Sequence, residues 1–200
     1  VPAIARACST LGFFQVVNHG IEQDLIQRLR VTSLDYFRND DSNKLLRRRN
    51  EHNARGYFDD ELTKQKRDWK QCIDVGVPGS RDWNLDDDDE ANQCLDGCNK
   101  FPNPELRDFV VEYFEECGLL ADRLARLMAQ GILPAVQECS IVRDLRDHHT
   151  SYLRLNYYPV CNKESELGIS PHRDAGFLTI LLQDETCHAL QVCNNYGEWH

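Results

Sequence analysis

His172 and Asp174 are the two residues whose types and spacing best suit metal chemistry. They precede the apolar run from Phe177 to Leu182, which is typical of a β-strand. Side chains two residues apart on a strand point to the same side, so this imidazole and carboxylate would converge on one point. A divalent metal could bind there. A third His would complete the set of two His and one carboxylate that leaves ferrous iron open positions for a co-substrate and dioxygen.

The His-x-Asp triplet alone carries little weight. With 7 His in 200 residues, roughly one such triplet is expected by chance. Without supporting residues nearby, a turn with a hydrogen-bonded His–Asp pair is the simpler interpretation. The elements around the pair therefore decide its meaning.

The first part of the chain is predicted to alternate between helices and strands. Apolar residues recur with a helical period before Gly12 and again from Ile21 to Phe37. Between these two helices, the β-branched and aromatic segment from Phe13 to Asn18 predicts a strand. A second strand is predicted from Trp69 to Val77.

The second part changes from helix to strand. The longest helix is predicted from Pro104 to about Gln130, with Asn103 as its N-cap, and another over residues 134–146. From Ser151 onward the pattern favours three strands separated by turn residues: YLRLNYYPV, FLTILLQDE and HALQVCNNYGEW.

Composition excludes several classes of protein. No apolar run approaches the roughly 20 residues needed to span a bilayer. The formal net charge is -10, so the chain repels phosphate backbones and anionic lipids, and we expect no nucleic-acid or membrane partner. Nine Cys at irregular spacings, without a visible signal peptide, favour reduced thiols and a cytoplasmic location.

Other polar groups have plainer interpretations. His19 lies at a strand-to-helix turn, where a structural role is expected, and the adjacent His148 and His149 have no carboxylate at a spacing that completes a site. The acidic segment 85–90 lacks the glycine and the spacing of a calcium loop and is expected to be solvated. The three arginines at 47–49 are expected on an exposed helix face.

Five segments follow one another along the chain: LGFFQVVNHGI, RGYF, DWKQCIDVG, LRLNYYPVC and GISPHRDAGFLTILLQDE. In this order they resemble the 2-oxoglutarate and iron-dependent dioxygenases of the isopenicillin N synthase-like superfamily. One such motif would be weak, whereas five in order are specific and span most of the chain. One departure is CHALQV, where many relatives have Pro-Gly before Leu-Gln.

The resemblance implies an α+β fold with a mainly β core. That core is a double-stranded β-helix, or jelly roll, preceded by a largely helical N-terminal region. The implied regions are 1–100 for the N-terminal part of a non-haem dioxygenase, 101–150 for a helical connection, and 151–200 for the first jelly-roll strands. We expect a fragment that lacks its start and its C-terminal part and that is poorly stable and inactive by itself.

The resemblance also implies the ligands of the iron. His172 and Asp174 are the first two, and the third, a His, lies beyond residue 200. His200 follows Asp174 too closely to replace it. No further catalytic residue is implied.

The co-substrate residues lie in LRLNYYP. Alternation along this strand puts Arg154, Asn156 and Tyr158 on one face, and the family pattern places Asn156 and Tyr158 next to bound 2-oxoglutarate. Their amide and hydroxyl groups can donate hydrogen bonds to a carboxylate. Arg154 is a candidate for the substrate side, and the alternative is an arginine that extends to solvent.

The implied function is that of an iron(II)- and 2-oxoglutarate-dependent oxidoreductase. It would use O2 to hydroxylate or desaturate a small organic substrate, releasing succinate and CO2, and we expect it to be a monomer. Two alternatives remain open. One is an iron oxidase or cyclase of the same superfamily that does not use 2-oxoglutarate, and the other is a non-catalytic jelly-roll binding protein or the product of a truncated gene.

Overall fold

A computed structural model gives the fold of the chain and describes residues 1–39, 41–77, 94, 97–132, 149–161, 168–187 and 189–200. Within these ranges the chain combines α-helices with small antiparallel β-sheets. It divides into two compact units. The first comprises Val1–Ile21, Glu115–His149 and Asp174–His200, and the second comprises Glu22–Phe114 and Thr150–Arg173. No helix in the described ranges is both long and apolar enough to cross a membrane.

The helices of the described residues are α1 (Pro2–Thr10), α2 (Gln23–Asn39), α3 (Asp41–Leu46) and α4 (Pro104–Ile132). The predictions for α1, α2 and α4 are confirmed, because a helix is specified by a local apolar period. The predicted N-cap is confirmed as well, since the Oδ1 atom of Asn103 accepts the backbone N–H of Leu106 at 2.8 Å.

In the first unit, α1 lies close to the C-terminal end of α4. A Cβ atom at Gly131 would lie 3.0 Å from the Cβ of Ala5, so the missing side chain permits this approach. Gly12 adopts a φ of +74° directly after α1 and ends that helix, as predicted. The buried residues of α4 in this unit are Leu120, Leu124, Ala125, Met128 and Ala129.

The second unit contains both sheets. A three-stranded antiparallel sheet has the order β1-β4-β5, and a separate two-stranded sheet pairs β2 with β3. The strands are β1 (Gly56–Phe58), β2 (Leu62–Thr63), β3 (Lys66–Arg67), β4 (Gln71–Gly76) and β5 (Tyr152–Tyr157). The strands predicted at Trp69–Val77 and in YLRLNYYPV are therefore confirmed.

One face of the three-stranded sheet is apolar and packs against α2. The ring of Phe37 on α2 stacks on Tyr157 of β5 with centroids 5.4 Å apart. Ile73 and Val75 of β4 are also buried. Because alternate residues of a strand share a face, the intervening residues of β4 and β5 lie on the opposite face, which is polar. We call this second face the polar face.

Two of the strand predictions are wrong. Residues 13–18 are not in a strand, and neither are 177–185. Both segments have the composition of a strand, but a strand forms only when its N–H and C=O groups pair with a neighbour. Neither segment belongs to the two sheets of the described residues, and Val17 and Phe177 are exposed. The third predicted strand is reduced to a short hairpin, with Cys193 bridged to Trp199.

The arginines at 47–49 are not on an exposed helix face, because they follow the end of α3. Arg48 donates hydrogen bonds to Asp59 at 2.8 Å and to Asp60 at 2.7 Å. The guanidinium carbon of Arg49 lies 3.6 Å from the centroid of the Phe58 ring. These contacts hold Arg48 and Arg49 against β1 and the residues that follow it.

The thiol prediction agrees with the described cysteines, among which no disulfide bond is formed. His149 is exposed. Three other predictions lie outside the described residues: the helix over 134–146, the acidic segment 85–90, and the placement of His148.

Candidate functional site

Paired side chains across β4 and β5 build the polar face. The antiparallel register places Asp74 opposite Arg154 and Cys72 opposite Asn156. The same alternation continues one step beyond the strand ends, to Lys70 and Tyr158. Each residue that the sequence predicts for this face, Arg154, Asn156 and Tyr158, thus has a polar neighbour on the adjacent strand.

Arg154 is held by two carboxylates. Its Nε donates to Oδ1 of Asp74 and its Nη2 donates to Oδ2, both at 2.7 Å, while Nη1 lies 3.1 Å from both carboxylate oxygens of Glu61. Burial disfavours the charged guanidinium, but the hydrogen bonds and charge of Asp74 outweigh it and raise the pKa of Arg154. The alternative of an arginine extending to solvent is therefore wrong.

Lys70 is a buried cation on the same face. Its Nζ lies 2.6 Å from Oε2 of Glu61 and 3.3 Å from Oδ2 of Asp68, and only 3% of its side chain is exposed. Burial opposes the charge, but the hydrogen bond to Glu61 raises the pKa of Lys70 overall. The pKa of Glu61 is lowered in turn, because Lys70 and Arg154 outweigh the effect of its own burial. Glu61 thus links the two cations.

Cys72 and Asn156 form the middle pair. The Sγ atom of Cys72 donates to Oδ1 of Asn156 at 3.2 Å. Cys72 is fully buried, and burial raises the pKa of its thiol to about 12. The thiol therefore stays protonated at neutral pH and acts as a donor, while Asn156 itself is exposed.

Tyr158 lies at the end of the polar face, where a loop approaches it. A Cβ atom at Gly168 would lie 2.6 Å from Cδ1 of the Tyr158 ring, so only glycine fits beside the ring without displacing it. The backbone N–H of Trp69 donates to the carbonyl of Gly168 at 2.8 Å and anchors this loop to the start of β4. Burial raises the pKa of Tyr158, so its hydroxyl remains a donor at neutral pH.

His172 and Asp174 lie in an irregular segment and not at the start of a strand, so strand alternation does not fix their directions. His172 lies near the end of the last segment of the second unit, and Asp174 is the first residue of the last segment of the first unit. The Nδ1 atom of His172 lies 2.9 Å from the carbonyl oxygen of Ser170. A carbonyl can only accept, so Nδ1 is assigned as the donor and the lone pair is on Nε2. Asp174 Oδ2 accepts the hydroxyl of Thr179 at 2.7 Å.

These two side chains have the donor types that ferrous iron accepts: a neutral imidazole nitrogen and a carboxylate oxygen. The Ser170 and Thr179 contacts are the kind of outer hydrogen bonds that fix the tautomer of a ligand His and the orientation of a ligand carboxylate. In the described part of the chain no three His, Cys, Asp or Glu residues gather into a metal-binding group. The donor chemistry of His172 and Asp174 is therefore compatible with ferrous iron, and their role as iron ligands stays a prediction.

The other histidines have structural contacts. The Nδ1 atom of His19 accepts the backbone N–H of Ile21 at 3.1 Å, which closes the turn before α2. The backbone of His200 pairs with Val192 in both directions at 2.9 Å, within the short C-terminal hairpin.

The polar-face residues of β4 and of the position just before it were missed by sequence reasoning. Lys70, Cys72 and Asp74 alternate within a segment predicted as a strand, just as Arg154, Asn156 and Tyr158 do in YLRLNYYPV. In both segments a polar residue stands at every second position, and this shared pattern was the signal that could have indicated two polar strand faces. The pairing of these two strands and its register depend on contacts between residues far apart in the sequence, so the local pattern does not reveal them.

Comparisons with known proteins agree with the motifs. Residues 1–104 match the family model described as non-haem dioxygenase in morphine synthesis N-terminal. Residues 149–200 match that of the 2OG-Fe(II) oxygenase superfamily. A homoarginine-6-hydroxylase of Arabidopsis thaliana is 31% identical over 206 residues, covering 100% of this chain and 56% of that protein. Gibberellin 2-beta-dioxygenase 8 of the same plant is 30% identical over 185 residues, covering 92% and 49%.

A solved structure shows the same likeness in three dimensions. The crystal structure of JOX2 in complex with 2OG, Fe and JA superposes with a TM-score of 0.64 at 27% identity, covering 86% of this chain and 48% of that one. The chain belongs to the 2-oxoglutarate/iron(II)-dependent dioxygenases. It spans about half the length of the relatives it matches.

Proposed function

We propose that the protein is an iron(II)- and 2-oxoglutarate-dependent oxidoreductase. It hydroxylates or desaturates a small organic substrate with O2 and releases succinate and CO2. The observation that carries the proposal is that the 2OG-Fe(II) oxygenase match at residues 149–200 contains all four residues predicted to bind iron or 2-oxoglutarate: His172, Asp174, Asn156 and Tyr158. The names of the plant relatives, which include a hydroxylase and a dioxygenase, support the reaction class.

The proposed fold of the whole protein is a double-stranded β-helix preceded by a largely helical region. Residues 1–100 form the N-terminal region, 101–150 the connection and 151–200 the first strands of the jelly roll. The likeness to JOX2 over 86% of the chain supports this arrangement. So does the exposure of Phe177 and Leu181, apolar residues that further strands would cover.

The chain's own residues have distinct tasks in this proposal. His172, through Nε2, and Asp174 would hold the iron, which when bound with 2-oxoglutarate supplies the oxidation of a carbon–hydrogen bond by O2. Asn156 and Tyr158 would donate hydrogen bonds to the co-substrate's oxygen atoms. A neutral amide and a protonated phenol can orient that dianion without adding a metal ligand.

Arg154 is proposed to lie on the substrate side of this face. Asp74 and Glu61 bind its guanidinium from two directions, so a substrate would contact an arginine of fixed position and compensated charge. Such a residue orients a polar group by hydrogen bonding more than by net attraction.

The test is production of succinate. The whole protein, given ferrous iron, 2-oxoglutarate and O2, should convert 2-oxoglutarate to succinate slowly even without the organic substrate, and Asp174→Ala should abolish this. Mass spectrometry of the products measures it. Dioxygen consumption without succinate would instead favour an iron oxidase that does not use 2-oxoglutarate. If the protein consumed neither dioxygen nor 2-oxoglutarate, the proposal would be contradicted.

A further inference from the structure

The contact between Cys72 and Asn156 determines which side of the Asn156 amide is presented outward. An asparagine amide has an oxygen that only accepts and a nitrogen that only donates, and the two are nearly equal in shape. Cys72 Sγ lies 3.2 Å from Oδ1, and Cys72 and Asn156 are direct neighbours in the β4–β5 register. The amide oxygen is thus directed toward β4.

The thiol is suited to this orienting task because its S–H can donate to the amide oxygen, whereas its sulfur is only a weak acceptor. It is fully buried, and the pKa of about 12 keeps it protonated across the physiological range. In the flipped amide the thiol would face the amide nitrogen, and its sulfur could serve there only as a weak acceptor. The contact therefore favours one amide orientation over its flipped form.

The amide nitrogen is directed away from Cys72 as a result. Asn156 is exposed, and its Nδ2 has no hydrogen-bond partner within the part of the chain that the structure describes. This donor is the group that a carboxylate or keto oxygen of 2-oxoglutarate would accept from.

We propose that Cys72 is a positioning residue for 2-oxoglutarate: its buried thiol holds the amide oxygen of Asn156 so that the amide nitrogen is presented to the co-substrate. The inference rests on the proposed function, since it assumes that Asn156 contacts 2-oxoglutarate. Cys72 itself touches no co-substrate and acts only through Asn156.

The neighbours of Cys72 make the arrangement rigid. On the same strand face, Asp74 is tied to Arg154 and Lys70 is tied to Glu61, so the residues on either side of Cys72 are held by charged hydrogen bonds. Phe58 of β1, which is fully buried, lies opposite Cys72 in the register. The thiol is therefore confined between fixed neighbours.

The experiment compares Cys72→Ala, which removes the donor, with Cys72→Ser, which keeps one. Binding of 2-oxoglutarate to the anaerobic, iron-loaded whole protein is measured by calorimetry. Loss of one modest hydrogen bond should weaken binding about threefold to tenfold in Cys72→Ala, whereas Cys72→Ser should stay within about twofold of wild type. Ile73→Val, a buried change on the other face of β4, is the control for loosened packing and should bind normally.

A second comparison separates positioning from general structure. In an Asn156→Ala background, adding Cys72→Ala should weaken binding no further, because the thiol acts only through the amide. The inference is overturned if Cys72→Ala binds like wild type, if Cys72→Ser is as weak as Cys72→Ala, or if the two losses add. Absence of 2-oxoglutarate binding to wild type would overturn the proposed function along with it. Normal wild-type binding with an unaffected Cys72→Ala would overturn this inference alone.

Discussion

At the scale of single residues, the polar face and its neighbours hold buried and partly buried charges that pair with one another. Lys70 and Arg154 share Glu61, and each has a further carboxylate, Asp68 or Asp74. Removing one member of such a set leaves an uncompensated charge in a poorly hydrated place. The set is therefore expected to stabilise the sheet only as long as it is complete.

Asp74→Ala should destabilise the protein by about 2 to 3 kcal/mol, because it deprives Arg154 of two short hydrogen bonds and leaves it with Glu61. The free energy of unfolding from urea denaturation measures the effect. The matched control is Asp122→Ala, which breaks the more exposed pair with Arg126 on α4 and should cost less than about 0.5 kcal/mol. Equal effects at the two positions would contradict this account of Arg154.

Acid should weaken the same network through Glu61. Its pKa in the folded state lies below the ordinary value, so the folded state holds fewer protons there than the unfolded state. The contribution of Glu61 to the free energy of unfolding is complete above the unfolded-state pKa of about 4.3. It is lost as the pH falls through the lower folded-state pKa of Glu61. Unfolding free energies measured from about pH 6 to about pH 3 should fall less steeply in Glu61→Gln than in wild type. Parallel curves would count against this role of Glu61.

The sequence predicted both strands of this network but only the polar residues of β5, and not their partners on β4. Alternation in β5 correctly placed Arg154 and Asn156 on one face. Their partners Asp74 and Cys72 lie about 80 residues earlier in the chain, at separations of 80 and 84 residues. Strand pairing over such a distance depends on the tertiary fold and not on any local pattern, so it could not be read from the residues.

At the scale of elements, helices and strands differ in what the sequence reveals. The helices α1, α2 and α4 were predicted correctly because each contains its own hydrogen-bond partners. Residues 13–18 and 177–185 were predicted as strands from composition alone, and they failed because a strand requires a neighbour. The predictions of β4 and β5 were correct, because these two strands pair with each other.

Gly168 approaches the Tyr158 ring closely and confines it on one side. In Gly168→Ala the added methyl group would meet the Tyr158 ring at 2.6 Å, so the ring must shift. We expect 2-oxoglutarate to bind several-fold more weakly in this variant, with near-normal unfolding free energy, since the half-exposed ring can move outward. Gly176→Ala is the control, because a Cβ at Gly176 would meet nothing within 4 Å. Unchanged binding in Gly168→Ala would indicate that Tyr158 does not contact the co-substrate.

At the scale of the whole molecule, the residues predicted to bind iron or 2-oxoglutarate come from segments of both compact units. Asn156, Tyr158 and His172 belong to the second unit and Asp174 to the first. The sequence predicted roles for these four from a resemblance to a family, and the structure gives the hydrogen bonds of Asn156, His172 and Asp174. The role of the four together is a property of the assembled protein and must be measured there.

The most direct measurement is an anaerobic titration of the whole protein with ferrous iron and 2-oxoglutarate, followed by visible absorption. We predict a charge-transfer band that is present in wild type, lost in Asp174→Ala, and retained in His149→Ala, a control at an exposed histidine. Asn156→Ala should require more 2-oxoglutarate to reach the same band. No band in wild type, or an unchanged band in Asp174→Ala, would contradict the proposal that this chain binds iron and 2-oxoglutarate through these residues.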